Sequence, residues 1–379
     1  MFRIPLMKPF VNQAVKDNVC AVLDSGFLTE GPMTRRLEKA FQDYTGARHA
    51  LAVTSCTTGL ELALRCLGIQ AGDEVIVPDF TYPATADAVA TVGASAVLVD
   101  IDPGTFLIDY DAIEIAITPR TRAVIPVSEF GNPLDWTQLG RIKSRHGIPI
   151  IEDAACAIGS SYHGVKTGSL ADITVFSLHP RKFITTGEGG IITTNRTEWA
   201  EWMDAHKHFG IVGKDAAGRP AFQRIGTNCK LSDLQAAVGV VQMQHIRELL
   251  WQRQELARIY ARLFAEEQRV SLPRITAGGE SSWQSFCIKV ANRDEVMNVV
   301  RAQGIEVQFG AFALHRQPAF QQSAHCRWAG ALSGSRQAFD EALVLPLHHA
   351  LLPGDQDDVV RAVRTELIAA AGGRDRCSG

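Results

Sequence analysis

The chain has no C-x-x-C pair, no apolar run long enough to cross a bilayer, and no excess of either charge. Its eight cysteines (Cys20, Cys56, Cys66, Cys156, Cys229, Cys287, Cys326 and Cys377) show none of the spacings of a zinc site or redox motif. They read as reduced core or loop residues. His206 with His208, and His348 with His349, lack Cys or carboxylate partners at ligand spacing, so no metal site is expected. With 38 basic and 41 acidic side chains, and a formal net charge of −3, there is no footprint for nucleic acid or an anionic membrane. A small-molecule substrate is the expectation that remains. The stretch Met1 to Phe10 carries two prolines and no leader-like apolar core, which points to the cytoplasm. What the chain does have is length: 379 residues at 46% hydrophobic content can bury a large core in two or three lobes.

Between His49 and Thr194, short Val- and Ile-rich runs alternate with segments of helical period, the pattern of an α/β lobe with a parallel sheet. The expected strands are 49–53, 74–77, 95–99, 122–127, 148–153, 172–177 and 189–194. Helices are expected near 57–68, 83–92, 109–117, 135–146 and 198–206. A long helix should run from Ser232, its N-cap, to about Phe264. Beyond it, strands at 285–291 and 305–309, with helices near 293–302 and 355–370, predict a smaller α+β unit before a loose tail at 374–379. The expected division is residues 1–245 and 246–379.

In an open parallel sheet, ligands gather beyond the carboxyl ends of the strands. After the first strand comes Thr54-Ser55-Cys56-Thr57-Thr58-Gly59, hydroxyls and free amides at a helix start, which suit an anion or simply cap the helix. Tyr82, before Pro83, either packs in the core or offers its face to a flat ring. Asp153 ends the run IPIIED and needs a partner if buried, or else caps the next turn. Ser177 ends DITVFS, and Lys182 follows in SLHPRKFITTGEGG. A lysine at that rim, with its pKa lowered by burial and nearby cations, suits a Schiff base to an aldehyde. A phosphate cradle, an acid for a pyridine nitrogen and an amine for an aldehyde together match pyridoxal 5'-phosphate (PLP).

Six ordered segments then resemble the DegT/StrS family of PLP-dependent sugar aminotransferases: TSCTTGLELAL, VPDFTYPATADAV, IIEDAACAIGS, FSLHPRKFITTGEGGIITT, GTNCKLSDLQAAVG and ALHRQPAF. The resemblance implies an aspartate aminotransferase-like fold (PLP fold type I). It makes Lys182 the Schiff-base lysine, Asp153 the ring-nitrogen partner and Tyr82 the stacking aromatic. It places Thr57, the Thr58 backbone and Ser177 at the phosphate. It implies that Asn228 reaches the phosphate of a neighbouring subunit, and hence a homodimer with shared sites. Three segments depart from the family pattern. Cys156 replaces a usual Gln near the cofactor, Ser128-Glu129-Phe130-Gly131 replaces H-x-Y-G, and 308–315 lacks an expected tyrosine and prolines.

The implied reaction moves an amino group, from glutamate by resemblance, to a keto sugar. A nucleotide-linked 4-keto-6-deoxyhexose is favoured, because TTGEGG resembles the C4-aminating members; a keto cyclitol is the alternative. Retention of Lys182, where dehydrating relatives carry His, implies transamination. Arg181, Lys207, Arg224 and Lys230 are either solvated surface charges, the commoner role of such residues, or groups that hold a pyrophosphate. A PLP-binding regulator without turnover stays open, whereas a nicotinamide oxidoreductase lacks the G-x-G-x-x-G after the first strand.

Overall fold

The Val- and Ile-rich runs become seven strands: His49–Val53 (β1), Glu74–Pro78 (β2), Ser95–Val99 (β3), Thr121–Val124 (β4), Ile151–Asp153 (β5), Ile173–Ser177 (β6) and Gly190–Thr194 (β7). The structure is a computed structural model that describes residues 2–374, with side-chain burial as far as Leu367. Downstream come Val270–Ser271 (β8), Phe286–Val290 (β9), Gln308–Phe309 (β10), Cys326–Trp328 (β11) and Ala342–Leu345 (β12). One ladder runs β1-β7-β6-β5 and another β4-β2-β3-β11. Parallel bridges Val124–Ile150 and Val127–Asp153 join them side by side.

All neighbouring pairs are parallel except those made by β7, which runs opposite to β1 and β6. The physical reason is the connection. Ser177 pairs with Gly190, so the segment 178–189 is a wide hairpin loop with no crossover helix, and such a link returns the chain antiparallel. Because β1 and β6 both oppose β7, their carboxyl ends lie on one side of the sheet, with that of β5. The lysine loop is this hairpin's tip.

Successive residues of these strands enter different cores, as a pleated sheet covered on both faces requires. Val53, Val175 and Ile192 meet Leu60 and Leu64 of the helix Cys56–Cys66, while Ala52, Phe176 and Ile191 meet Leu37 and Phe41 of the helix Pro32–Thr45. The antiparallel sheet β8-β9-β12-β10 packs its core on Tyr260, Val300 and Val363, and takes Ile4 from the amino-terminal end.

Three expectations change. The expected helix 232–264 is two helices, Asp233–Gln244 and Ile246–Leu263, broken at His245 (φ −98°, ψ 3°), whose ring packs against Phe10 at 5.1 Å. Of the expected strand 305–309, Gln308–Phe309 pairs with β12, and Ile305 makes only an isolated parallel bridge with Ile4. Cys326–Trp328, read as no element, is the edge strand beside β3. The final helix is Asp355–Arg374, and the rest of the expected tail, 375–379, lies outside the described residues.

Candidate active site

Strand ends and the helix that follows β1 bring the candidate residues to one side of the sheet. Ser55 caps the helix Cys56–Cys66: its hydroxyl accepts from the Thr58 amide at 3.1 Å, and Thr58 Oγ1 accepts in return from the Ser55 amide at 3.0 Å. The Thr58 amide is therefore already engaged. The first-turn amides of Cys56 and Thr57 have no intrahelical acceptor. Gly190 opens β7 directly against this turn. A Cβ there would lie 2.7 Å from the Ser55 backbone, so only glycine permits the approach. Ser177 Oγ accepts from the His179 amide at 3.3 Å, which leaves its own hydroxyl proton to donate.

Asp153 is buried at the end of β5. Its Oδ2 accepts from Thr85 Oγ1 at 2.8 Å and its Oδ1 from the Ala155 amide at 3.1 Å, with Cys56 Sγ at 3.8 Å from Oδ1. All three partners are neutral. Burial raises its carboxyl above the ordinary range, against the lowering effect of Thr85, the Ala155 amide and Lys182. A carboxylate so placed is stabilised by a cation donating to it, which is what a protonated pyridine nitrogen would supply.

Lys182 is partly buried, and its Nζ donates to Cys156 Sγ at 3.0 Å. Burial pushes the amine down, but Cys156, Glu129 and Cys56 outweigh it and hold it above its ordinary range. This overturns the expectation of a depressed amine: the side chains facing Lys182 are acidic groups, not cations. The lysine loop is clamped from a distant segment. Gln284 Oε1 accepts from the Phe183 amide at 3.1 Å and its Nε2 donates to the Arg181 carbonyl at 2.7 Å, bracketing Lys182.

Tyr82 is 69% exposed at the rim, edge-on to Phe312 at 6.2 Å, and Phe312 in turn meets Phe309 at 5.1 Å. Asn228 is exposed; its Oδ1 accepts from Lys230 Nζ at 2.6 Å. Of the four pyrophosphate candidates, Lys207 is corrected. It is fully buried and paired with Glu30 and Glu38, so it cannot meet a ligand at the surface. Arg181 donates to Gln308, and Arg224 lies over the Trp202 ring. Glu30, Asp204 and His208 come within ligand distance of one another, but the Lys207 ammonium already sits against both carboxylates, at 2.8 Å from Glu30 and 3.6 Å from Asp204. His206 stacks on Trp202 instead of joining His208.

The sequence pattern assigns no role to Thr85, Gln284 or Glu129. Thr85 and Gln284 act on partners tens of residues away, and Glu129 fills the unspecified position of the segment that stands for H-x-Y-G.

The buried carboxyl, the amine and the open helix start agree with what comparison shows. The sequence pattern of the DegT/DnrJ/EryC1/StrS aminotransferase family matches residues 10–364. The chain belongs to this family. A relative in Caulobacter vibrioides, GDP-perosamine synthase, is 35% identical over 97% of this chain and 99% of its own. The aminotransferase TlmJ from Streptoalloteichus hindustanus superposes with a TM-score of 0.91 at 30% identity, over 97% of this chain and 99% of that one. A Streptococcus pneumoniae protein assigned as a sugar aminotransferase, in its PLP form, gives a TM-score of 0.87 at 29% identity over 96% and 97%. The DegT/DnrJ/EryC1/StrS chain is thus a transaminase of PLP fold type I, in a family of PLP-dependent sugar aminotransferases. The residues present fit that coenzyme: a buried carboxylate without a cationic hydrogen-bond partner, unpaired amides at a helix start, and one amine on the hairpin tip.

Proposed function

We propose that the protein transfers an amino group from glutamate to a nucleotide-linked keto sugar, a 4-keto-6-deoxyhexose, as a homodimer in the cytoplasm. The observation that carries the chemistry is the buried Asp153 carboxylate, held by neutral partners only, on the same side of the sheet as the Lys182 amine. When bound, PLP supplies an aldehyde for amines and a ring that accepts electron density from the reacting carbon. Asp153 would hold a proton on the ring nitrogen through a charge-assisted hydrogen bond. Thr57, Ser177 and the first-turn amides of the helix Cys56–Cys66 would hold the phosphate. Tyr82 would cover one ring face.

Lys182 Nζ is the group that moves protons at the reacting carbon, first from the donor and later to the acceptor, so one base serves both halves. Cys156 Sγ, as a soft acceptor at 3.0 Å, fixes the direction of that amine. The aromatic row Tyr82, Phe312 and Phe309, each ring edge-on to the next, would line the acceptor side with apolar surface. The sugar-nucleotide assignment is supported by the relative named GDP-perosamine synthase. The dimer is supported by the exposed Phe27, Leu28, Phe209, Phe222 and Ile225. These lie on segments tied to one another through Asp233 N–H to Leu28 C=O and Phe209 N–H to Thr227 C=O, beside Asn228.

The test is a panel of nucleotide-linked 4-keto and 3-keto hexoses and keto cyclitols, assayed for glutamate-dependent amination. Turnover of a nucleotide-linked 4-keto sugar at least tenfold above the others is expected; preference for a cyclitol or a 3-keto sugar contradicts the assignment.

A further inference from the structure

The helix Ile246–Leu263 passes from one core to another. Ile246 and Leu249 pack in the core that holds Phe183 and Ile184 of the lysine loop, whereas Ala257 and Tyr260 pack with Phe286 of β9. Arg253 lies between these two sets. It is 3% exposed, and among the described residues no carboxylate pairs with it. A buried guanidinium without a counter-ion is costly unless its donors are spent elsewhere.

They are spent on one turn. Nη1 donates to the Trp283 carbonyl at 2.9 Å and to the Gln284 carbonyl at 3.0 Å, and Nη2 donates to Met7 Sδ at 3.2 Å. Trp283 has φ 51°, a left-handed conformation that a bulky side chain keeps only where its surroundings impose it. Its amide donates to Ser281 Oγ at 3.0 Å, so the residue is held on both sides of its Cα. The turn aims the Gln284 side chain at the lysine loop, where it engages the Phe183 amide and the Arg181 carbonyl. The guanidinium also lies over the Phe183 ring, 5.0 Å from its centroid. Arg253 thus meets the residue next to Lys182 directly as well as through Gln284.

We propose that Arg253 is a positioning residue for Lys182: from a helix shared by two cores it holds the left-handed Trp283 turn and the Phe183 ring together, and so fixes the pair of bonds by which Gln284 brackets the lysine. The proposal rests on the reading of Lys182 as the group that moves protons. Arg253 acts through Gln284 and Phe183, and not on the sugar. Lysine is no substitute at this position, because an ammonium is a point charge without the flat face that stacks on a ring while its edge donates. The consequence for turnover is large, since a misplacement of about 1 Å in a reacting group costs about 100-fold in rate.

The experiment compares Arg253→Lys, Gln284→Ala and the double variant in the full chain. Amide hydrogen exchange is read without coenzyme, and kcat and KM for glutamate are read in the holoenzyme. Arg253→Lys should speed exchange of the Phe183 amide by about tenfold or more and leave strands β1 and β2 unchanged. Because the two residues act in series, the double variant should exchange within about twofold of Gln284→Ala alone. In the holoenzyme Arg253→Lys should lower kcat by about tenfold with KM for glutamate within about twofold. An unmoved Phe183 amide, effects that multiply in the double variant, or an unchanged kcat overturns the proposal. Arg253→Met carries the same comparison if Arg253→Lys does not fold, and failure of both to fold makes Arg253 a residue of the fold alone, which overturns it too. The reading of Lys182 fails separately, through a Lys182→Ala enzyme that keeps its turnover, and that result leaves the exchange measurements as they are.

Discussion

Two lysines in this molecule are withdrawn from the surface, and they are built to opposite ends. Lys207 is fully buried, and its ammonium spends its protons on Glu30 at 2.8 Å, the Ala52 carbonyl at 3.1 Å and Glu38 at 3.4 Å. Lys182 donates to a thiol and is faced by a carboxyl that offers it no hydrogen bond. The first is a clamp between the segment around Glu30 and Glu38 and strand β1. The second keeps unspent hydrogen-bonding capacity beside a buried carboxylate. Satisfied polar burial makes structure, and unsatisfied polar burial makes a reagent.

The comparison is broken most severely by exchanging the two side chains' fates. Lys182→Ala should lower glutamate-dependent amination by at least about 1,000-fold while the melting temperature holds, since little packing is lost. Lys207→Met should do the reverse. It leaves the partly buried Glu38 without its cation and Glu30 with His208 alone, and should cost about 2–4 kcal/mol in urea unfolding, while the fraction that folds keeps its turnover. Equal effects of the two substitutions on turnover would dissolve the distinction.

Smaller effects sharpen it. Asp153→Asn should cut turnover about 100-fold, because a neutral amide cannot hold the ring nitrogen cationic, yet should not destabilise the coenzyme-free chain, where a buried amide is cheaper than a buried carboxylate. Gln284→Ala leaves the Phe183 amide and Arg181 carbonyl without partners on either side of Lys182. It should cost about 1–3 kcal/mol of local order, read as faster hydrogen exchange across 181–184.

The smallest effect concerns pH. Burial lifts Glu152 to about 7, against the hydroxyls of Ser128 and Thr174 that donate to it. Its folded pKa is raised above the ordinary 4.5 of a glutamate, so the folded state binds the proton more tightly between these values. Its contribution to stability is complete below about 4.5 and is lost as pH rises through about 7. Glu152→Gln should flatten that decline in unfolding free energy measured from pH 4.5 to 8.

Much of this was legible in the residues. The strands β1 to β7 are continuous Val- and Ile-rich runs, and the motifs at their carboxyl ends sit where an open sheet collects its ligands. The direction of β7 was not read from residue type, although the shortness of the 178–189 connection carries it. The break at His245 has no Gly or Pro to mark it and coincides with packing on Phe10. Cys326–Trp328 is three residues long and shows no period at all; only the free edge of β3 makes it a strand. The site divides the same way. Lys182, Asp153 and the Ser55 turn stand in local patterns, whereas Gln284 and Thr85 meet their partners across about 100 and about 70 positions, and no local pattern reports that.

Borohydride reduction of the yellow holoprotein, followed by peptide mapping, reads the difference between the two lysines in one step. The coenzyme label should appear on the peptide containing Lys182 and be absent from the one containing Lys207. Label recovered at Lys207, or on no lysine of a protein that retains the coenzyme, would contradict the account.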